Sequence, residues 1–402
     1  MRCFLIFCLT LISTITFPQS DLEYFIKSKV EESYNKSDTS IYFVSKAISI
    51  KPEFIYYSYR ASLYFKKNDY NKAVEDFLQA SQSGDNINNY NIAKCYSILQ
   101  NWEQTNIWLR KYLSGNNKLP SNIIKTAPCF ETFKNNKLWT EVWKNNWYSN
   151  LENYIADIYY LYSKGTDAEI FDVIDSALKY YPQNDELWLW RAKAFEFGNN
   201  PKEVLLSFDN ALKFNPNRAD ILCMRAKLLN KNGKYKKAIT NYTNALNIEP
   251  YNIQLLKERG LAKIEIDDFK GALEDLTKYQ SYYYIDANAL YYAGKAAYLN
   301  KSLQQAIALF SNALKIDNSL ANCYFERGRC YLEENKLDTA FNDFCMAIDL
   351  NPNDGEYFYY RGLNYFELKN NIGACSDWEK AKNLNFIQAE QYMLRVCSKM
   401  RK

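Results

Sequence analysis

Similar residues return along this chain every 34 positions. Ala238, Ala272, Ala306, Ala340 and Ala374 form one column at that spacing. Ala177, Ala211 and Ala245, then Ala313, Ala347 and Ala381, form a second. Gly260, Gly294, Gly328 and Gly362 form a third, continued backward by Ala226 and Ala192. Pro182, Pro216, Pro250 and Pro352 keep the same phase. A fixed period of this length marks an array. Each unit is one supersecondary element that buries its apolar face only against its neighbours.

Within one period, Asn351 to Leu384 reads as two helices, because apolar and aromatic residues recur at three and four. Lys369 to Asn371 is a polar turn between them. The small columns let the two helices approach, and the proline ends one unit and begins the next. The first helix carries an early aromatic (Trp188, Tyr324, Phe358), a small residue four later, and then Phe195, Tyr331 or Tyr365. Tyr70, Tyr235 and Phe269 are aromatics of the loop between the two helices. In these positions the chain resembles the tetratricopeptide repeat family, most specifically over residues 185–384. The resemblance implies an all-α, right-handed superhelical solenoid of about ten helix pairs. The expected order is a leader at 1–20, three repeats at 21–115 and a tryptophan-rich non-repeat helical insertion at 116–150. Seven repeats at 151–385 and a capping helix with a tail at 386–402 follow.

Composition removes several chemistries. The chain has no histidine, so Ser-His-Asp and Cys-His machinery and imidazole metal ligation are absent. Its 12 glycines never stand closer than seven residues, so neither GxGxxG nor GxxxxGK occurs. Lys+Arg 50 against Asp+Glu 46 gives a net charge of +4, without the basic clustering that nucleic acid requires. No cofactor and no metal is expected. The first residues combine Arg2 with an uncharged apolar run from Phe4 to Phe17, the pattern of a secretory signal. Export to a periplasm or the extracellular space is therefore expected, with membrane contact only if that segment is retained.

A charge correlation accompanies the period. Arg60, Arg259, Arg327 and Arg361 each precede the small residue of a first helix, and Asp76, Asp275, Asp343 and Asp377 stand sixteen residues later. Where the arginine is replaced by Ala293 or Ile92, the partner position holds Leu309 or Trp108. The expected contact is an ion pair between the two helices of one repeat. Arg191 and Arg225 face polar Ser207 and Asn241 in the same scheme.

In the insertion, Trp139, Trp143 and Trp147 are spaced by four, which places them on one helical face and favours core packing over an exposed platform. Of the eight cysteines beyond the leader, Cys375 and Cys397 are the candidate disulfide, because antiparallel docking of the cap helix brings them together. No CxxC occurs.

The resemblance implies that first helices line a concave groove and that the partner is a protein or peptide segment. The candidate groove residues are Tyr291, Lys295, Tyr298, Phe325, Arg329, Leu332, Tyr359 and Phe366. Their rings fall outside the positions that helix packing is expected to use, and aromatics beside a basic group make binding hot spots. The favoured reading is a non-catalytic exported scaffold, serving assembly or secretion of an envelope complex. One alternative is a carboxylate-dependent glycan-active enzyme using acids such as Glu196, Glu265, Glu333 and Glu367. The other is a membrane-anchored regulator.

Overall fold

The computed structural model describes residues 20–165 and 167–399. Among these there are 23 α-helices and no strand. The expected leader at 1–20 lies outside the described residues except for Ser20, whose hydroxyl accepts from the Glu23 N–H at 3.1 Å and caps the first helix.

The chain forms two compact units, Met1–Pro182 and Gln183–Lys402. Unit one holds the pairs α1 (Asp21–Ser33) with α2 (Ser37–Ile50), α3 (Phe54–Lys66) with α4 (Tyr70–Ala80) and α5 (Asn86–Ile98) with α6 (Trp102–Leu113). The short α7 (Ser121–Thr126) and α8 (Lys137–Val142) interrupt the rhythm, and α9 (Asn150–Lys164) pairs with α10 (Asp167–Tyr180). Unit two holds α11 (Asp185–Phe197) with α12 (Pro201–Phe214), α13 (Ala219–Lys231) with α14 (Tyr235–Ile248) and α15 (Gln254–Ile264) with α16 (Phe269–Gln280). Then come α17 (Ala287–Leu299) with α18 (Leu303–Ile316), α19 (Ala321–Glu333) with α20 (Leu337–Leu350) and α21 (Gly355–Glu367) with α22 (Asn371–Asn383). The terminal α23 (Ala389–Val396) packs on α22. Four helix pairs in unit one and six in unit two carry the repeat that the period implies.

The unit boundary falls one pair later than the sequence division at 150/151, so α9 and α10 belong to unit one. This pair is thin: Ile158 is the only buried residue of α9.

The small column and the period have one steric cause. The residue sixteen positions after each small residue lies directly over it. A Cβ at Gly294 would stand 2.6 Å from the Phe310 ring, at Gly328 2.9 Å from Phe344, and at Gly362 2.6 Å from the Trp378 indole. Glycine inside a helix costs about 1 kcal/mol relative to alanine. Close packing under fully buried Phe310, Phe344 and Trp378 offsets that cost.

The turn within each repeat also repeats. Asn199, Gly233, Asp267, Lys301, Asn335 and Lys369 stand 34 apart and all have positive φ. Each directs the chain from its first helix into its second. A non-glycine residue in this left-handed region costs roughly 1–2 kcal/mol. Lys369 has φ 62° and an exposed side chain. Lys369→Gly is therefore expected to raise the stability of unit two by about 0.5–1 kcal/mol. A urea midpoint that falls instead would contradict this.

The insertion departs from its expectation in one respect. Helix α8 ends at Val142 with Trp143 as its C-cap, so only Trp139 lies within the helix and the three tryptophans do not share one helical face. The three tryptophans still pack on one core with Tyr90, Tyr112, Phe130 and Phe133. Trp147 enters that core from the following loop, its Nε1–H donating to the Val142 carbonyl at 2.7 Å.

Candidate functional site

The first helices of unit two place one face against the second helices and leave another for contact. On the packed side, the arginine column forms forked contacts. Arg259 Nε and Nη2 donate to Asp275 at 2.8 and 2.7 Å. Arg60 meets Asp76 in the same way at 2.7 and 2.8 Å, Arg327 meets Asp343 at 2.8 and 2.7 Å, and Arg361 meets Asp377 at 2.7 and 2.9 Å. These aspartates are buried, with 5–6% of their surface exposed.

The remaining guanidinium nitrogen reaches a third helix. Nη1 of Arg60, Arg259 and Arg327 donates to Ser45, Thr243 and Ser311 on the preceding repeat's second helix, at 2.9, 2.9 and 3.0 Å. Arg361 points the same nitrogen at Cys345 Sγ, 3.5 Å away. The arginine thus ties two repeats together, a second contact that the sixteen-residue spacing does not carry. Arg225 shows the same device reversed. Its carboxylate is Asp209 of the preceding repeat, with Nε to Oδ1 at 2.8 Å, while Asn241 takes Nη1 at 3.1 Å.

The contact side corrects the expected aromatic patch. Tyr298 and Phe325 are only 7% and 4% exposed. Phe325 is core: its ring centroid lies 4.7 Å from Tyr357 and 6.1 Å from Phe344. Tyr298 is buried and donates its hydroxyl to Glu333. Tyr359 is half-buried beneath the cap segment, 5.0 Å from Phe386 and 5.8 Å from Tyr392. Phe366 packs at 6.0 Å from Trp378, and Leu332 joins the same core. Phe325 and Tyr298 fill the gaps between consecutive first helices, contacts that lie beyond a single repeat.

Arg329 is also engaged. It lies 4.8 Å from the Tyr298 ring centroid and 4.9 Å from Tyr360, and donates Nη1 to Glu326 at 2.9 Å. Burial pushes the Glu326 carboxyl up, with the Arg329 charge opposing. Lys295 stands near Glu326 and Glu356, where its charge counters the rise that burial imposes on both carboxyls. Tyr291 remains half-buried beside a cleft of about 300 Å³ that Asn288, Asn322 and Tyr357 also line.

One first-helix column that stays open in all six repeats of unit two is Lys193, Lys227, Leu261, Lys295, Arg329 and Leu363. Each is exposed or half-buried, while the neighbouring small column is buried throughout.

Cys375 and Cys397 are joined by a disulfide that staples α22 to the end of α23. A crosslink closing a loop of this size, 22 residues, stabilises by about 3 kcal/mol through the unfolded chain. Reduction is expected to lower the melting temperature of unit two, and Cys375→Ser is expected to abolish that response. A melting curve indifferent to reductant would contradict this. Burial pushes the Cys95, Cys323 and Cys330 thiols up to about 12, so these cysteines pack as small inert groups.

Among the described residues, no group of acidic and cysteine side chains could hold a metal ion, and no helix is long and apolar enough to cross a membrane.

Comparison with known proteins matches family models described as tetratricopeptide repeat at residues 56–82, 207–240, 257–321 and 321–354. A cell division cycle protein 27 homolog of Caenorhabditis elegans is 30% identical over 93 residues, 23% of this chain and 12% of its own. A DnaJ homolog subfamily C member 7 homolog of Dictyostelium discoideum is 29% identical over 96 residues, 23% of this chain and 18% of its own. The chain thus spans less than a fifth of either relative. Among solved structures, the C-terminal part of a repeat-containing protein from Cytophaga hutchinsonii aligns with a TM-score of 0.47 at 17% identity. That alignment covers 56% of this chain and 93% of the other.

Proposed function

We propose that this chain, a tetratricopeptide-repeat protein, is an exported non-catalytic scaffold that holds a protein segment on the first-helix face of unit two, in the assembly or secretion of an envelope complex. The observation that carries the reading is the open column Lys193, Lys227, Leu261, Lys295, Arg329 and Leu363. Stacking leaves it partly solvated in six consecutive repeats, so a strip of side chains is accessible to an extended partner. With the aromatic rings committed to packing, the strip recognises by charge and aliphatic surface rather than by exposed rings.

Export is supported by the leader-like first 20 residues together with the Cys375–Cys397 disulfide, since such bonds persist in oxidising compartments. The test has two parts. N-terminal sequencing of the protein from its own cells should find the mature chain beginning near Ser20; an intact Met1 terminus in a reduced cytosolic fraction would refute export. Lys193→Glu combined with Lys295→Glu should weaken partner capture by about tenfold at unchanged folding. Unchanged capture would remove the strip as the binding face.

A further inference from the structure

Second helices usually open on a bulky side chain. Tyr70, Trp102, Tyr235, Phe269, Leu303 and Leu337 hold this position, and all are partly buried. Tyr70 packs edge-to-face with Phe65, their ring centroids 5.3 Å apart, and Leu303 packs on its repeat's core. In the first repeat of unit two the position is Pro201, which is exposed. A proline ring reaches less far than these side chains, and a cleft of about 450 Å³ opens there, between the α11–α12 turn and α13. Pro201, Val204, Met224 and Leu228 give it an apolar floor, and Lys227 and Lys231, one helical turn apart, stand at its rim.

The charge around the cleft is one-sided. From Ile221 to Ile248 the chain carries Arg225 and five lysines but no aspartate or glutamate. Arg225 is occupied by Asp209, whereas Lys227, Lys231, Lys234, Lys236 and Lys237 are all exposed. A charge balance taken over the whole chain averages this cluster away. Glu196 also borders the cleft and is countered by Lys193.

We propose that this cleft is a docking site for an acidic protein segment, which inserts one apolar side chain where the bulky opener is missing and sets its carboxylates against Lys227 and Lys231. An apolar floor with an unneutralised basic rim fits that occupant. A purely polar polyanion would leave the floor unused. The proposal rests on reading unit two as a protein-binding scaffold and assigns the chemistry and place of one contact.

The test is fluorescence anisotropy of the full mature chain with labelled acidic peptides, in which aspartates and glutamates flank a single central Leu, Phe or Trp. Saturable binding that weakens with salt is expected. Pro201→Tyr, which restores the residue that opens α4 and α14, should weaken it by about tenfold or more, as should Lys227→Glu with Lys231→Glu. Circular dichroism melting verifies that each variant folds. Lys236→Glu with Lys237→Glu, away from the floor, should change binding by about twofold or less. Absence of binding by the whole peptide series, or binding indifferent to Pro201→Tyr, overturns the proposal. Anionic phosphatidylglycerol vesicles that bind in place of the peptides with the same lysine dependence also overturn it. If partner crosslinking at Lys295 persists when the peptides fail, the cleft is wrong and the scaffold reading stands.

Discussion

Asp343→Leu is expected to destabilise unit two by roughly 3–5 kcal/mol, and adding Arg327→Leu is expected to recover much of that loss. The pair is removed from water: side-chain exposure is 19% for Arg327 and 7% for Asp343. Removing the carboxylate leaves the guanidinium with Ser311 as its remaining hydrogen-bonded partner. The charge is then stranded rather than satisfied. Replacing both residues by leucine restores an apolar contact of the kind Ala293 and Leu309 provide one repeat earlier. Urea unfolding of the two single variants and the double variant measures this. Additive losses would show that the pair is not coupled. A built-in control is Asp209, the partner of Arg225, whose side chain is 52% exposed. Asp209→Ala should cost only about 0–1 kcal/mol, as solvated ion pairs do.

Trp378→Ala is expected to cost about 3–5 kcal/mol. Trp378 is fully buried, lies over Gly362 and packs with its ring centroid 5.0 Å from that of Tyr392 of the cap helix, the rings tilted by 38°. Its loss empties the space between the last repeat and α23. With the Cys375–Cys397 bond intact the cap stays tethered, so the loss should grow when reductant is added. Thermal melts of wild type and variant with and without reductant provide the measurement. A loss below that of a surface substitution would mean that the last repeat is held by something other than this ring.

The period was legible because its cause is local and geometric. A small residue and a large one sixteen positions later meet in the last four repeats, as Gly294 meets Phe310 and Gly362 meets Trp378. The arginine and aspartate columns were legible for the same reason, since both partners lie within one repeat. Contacts between repeats were harder to read. Ser45, Thr243 and Ser311 vary in type, and Arg225 draws its carboxylate from the other side. Burial of Phe325 and Tyr298 is likewise set by the next first helix, beyond the span of a single period. The missing opener at Pro201 was visible as a residue but not as a cavity. Its meaning depends on which side chains converge on that turn.

The central claim is that the first-helix strip of unit two meets a partner protein while the exposed face of α14 does not. Site-specific photocrosslinking in the protein's own cells tests it most directly. A benzophenone side chain is placed in turn at Lys227 and Lys295 on the strip, and at the exposed Thr240 on α14. Discrete adducts with one partner protein at Lys227 and Lys295, and none at Thr240, are predicted. Adducts at all three positions alike, or at Thr240 alone, would contradict the account.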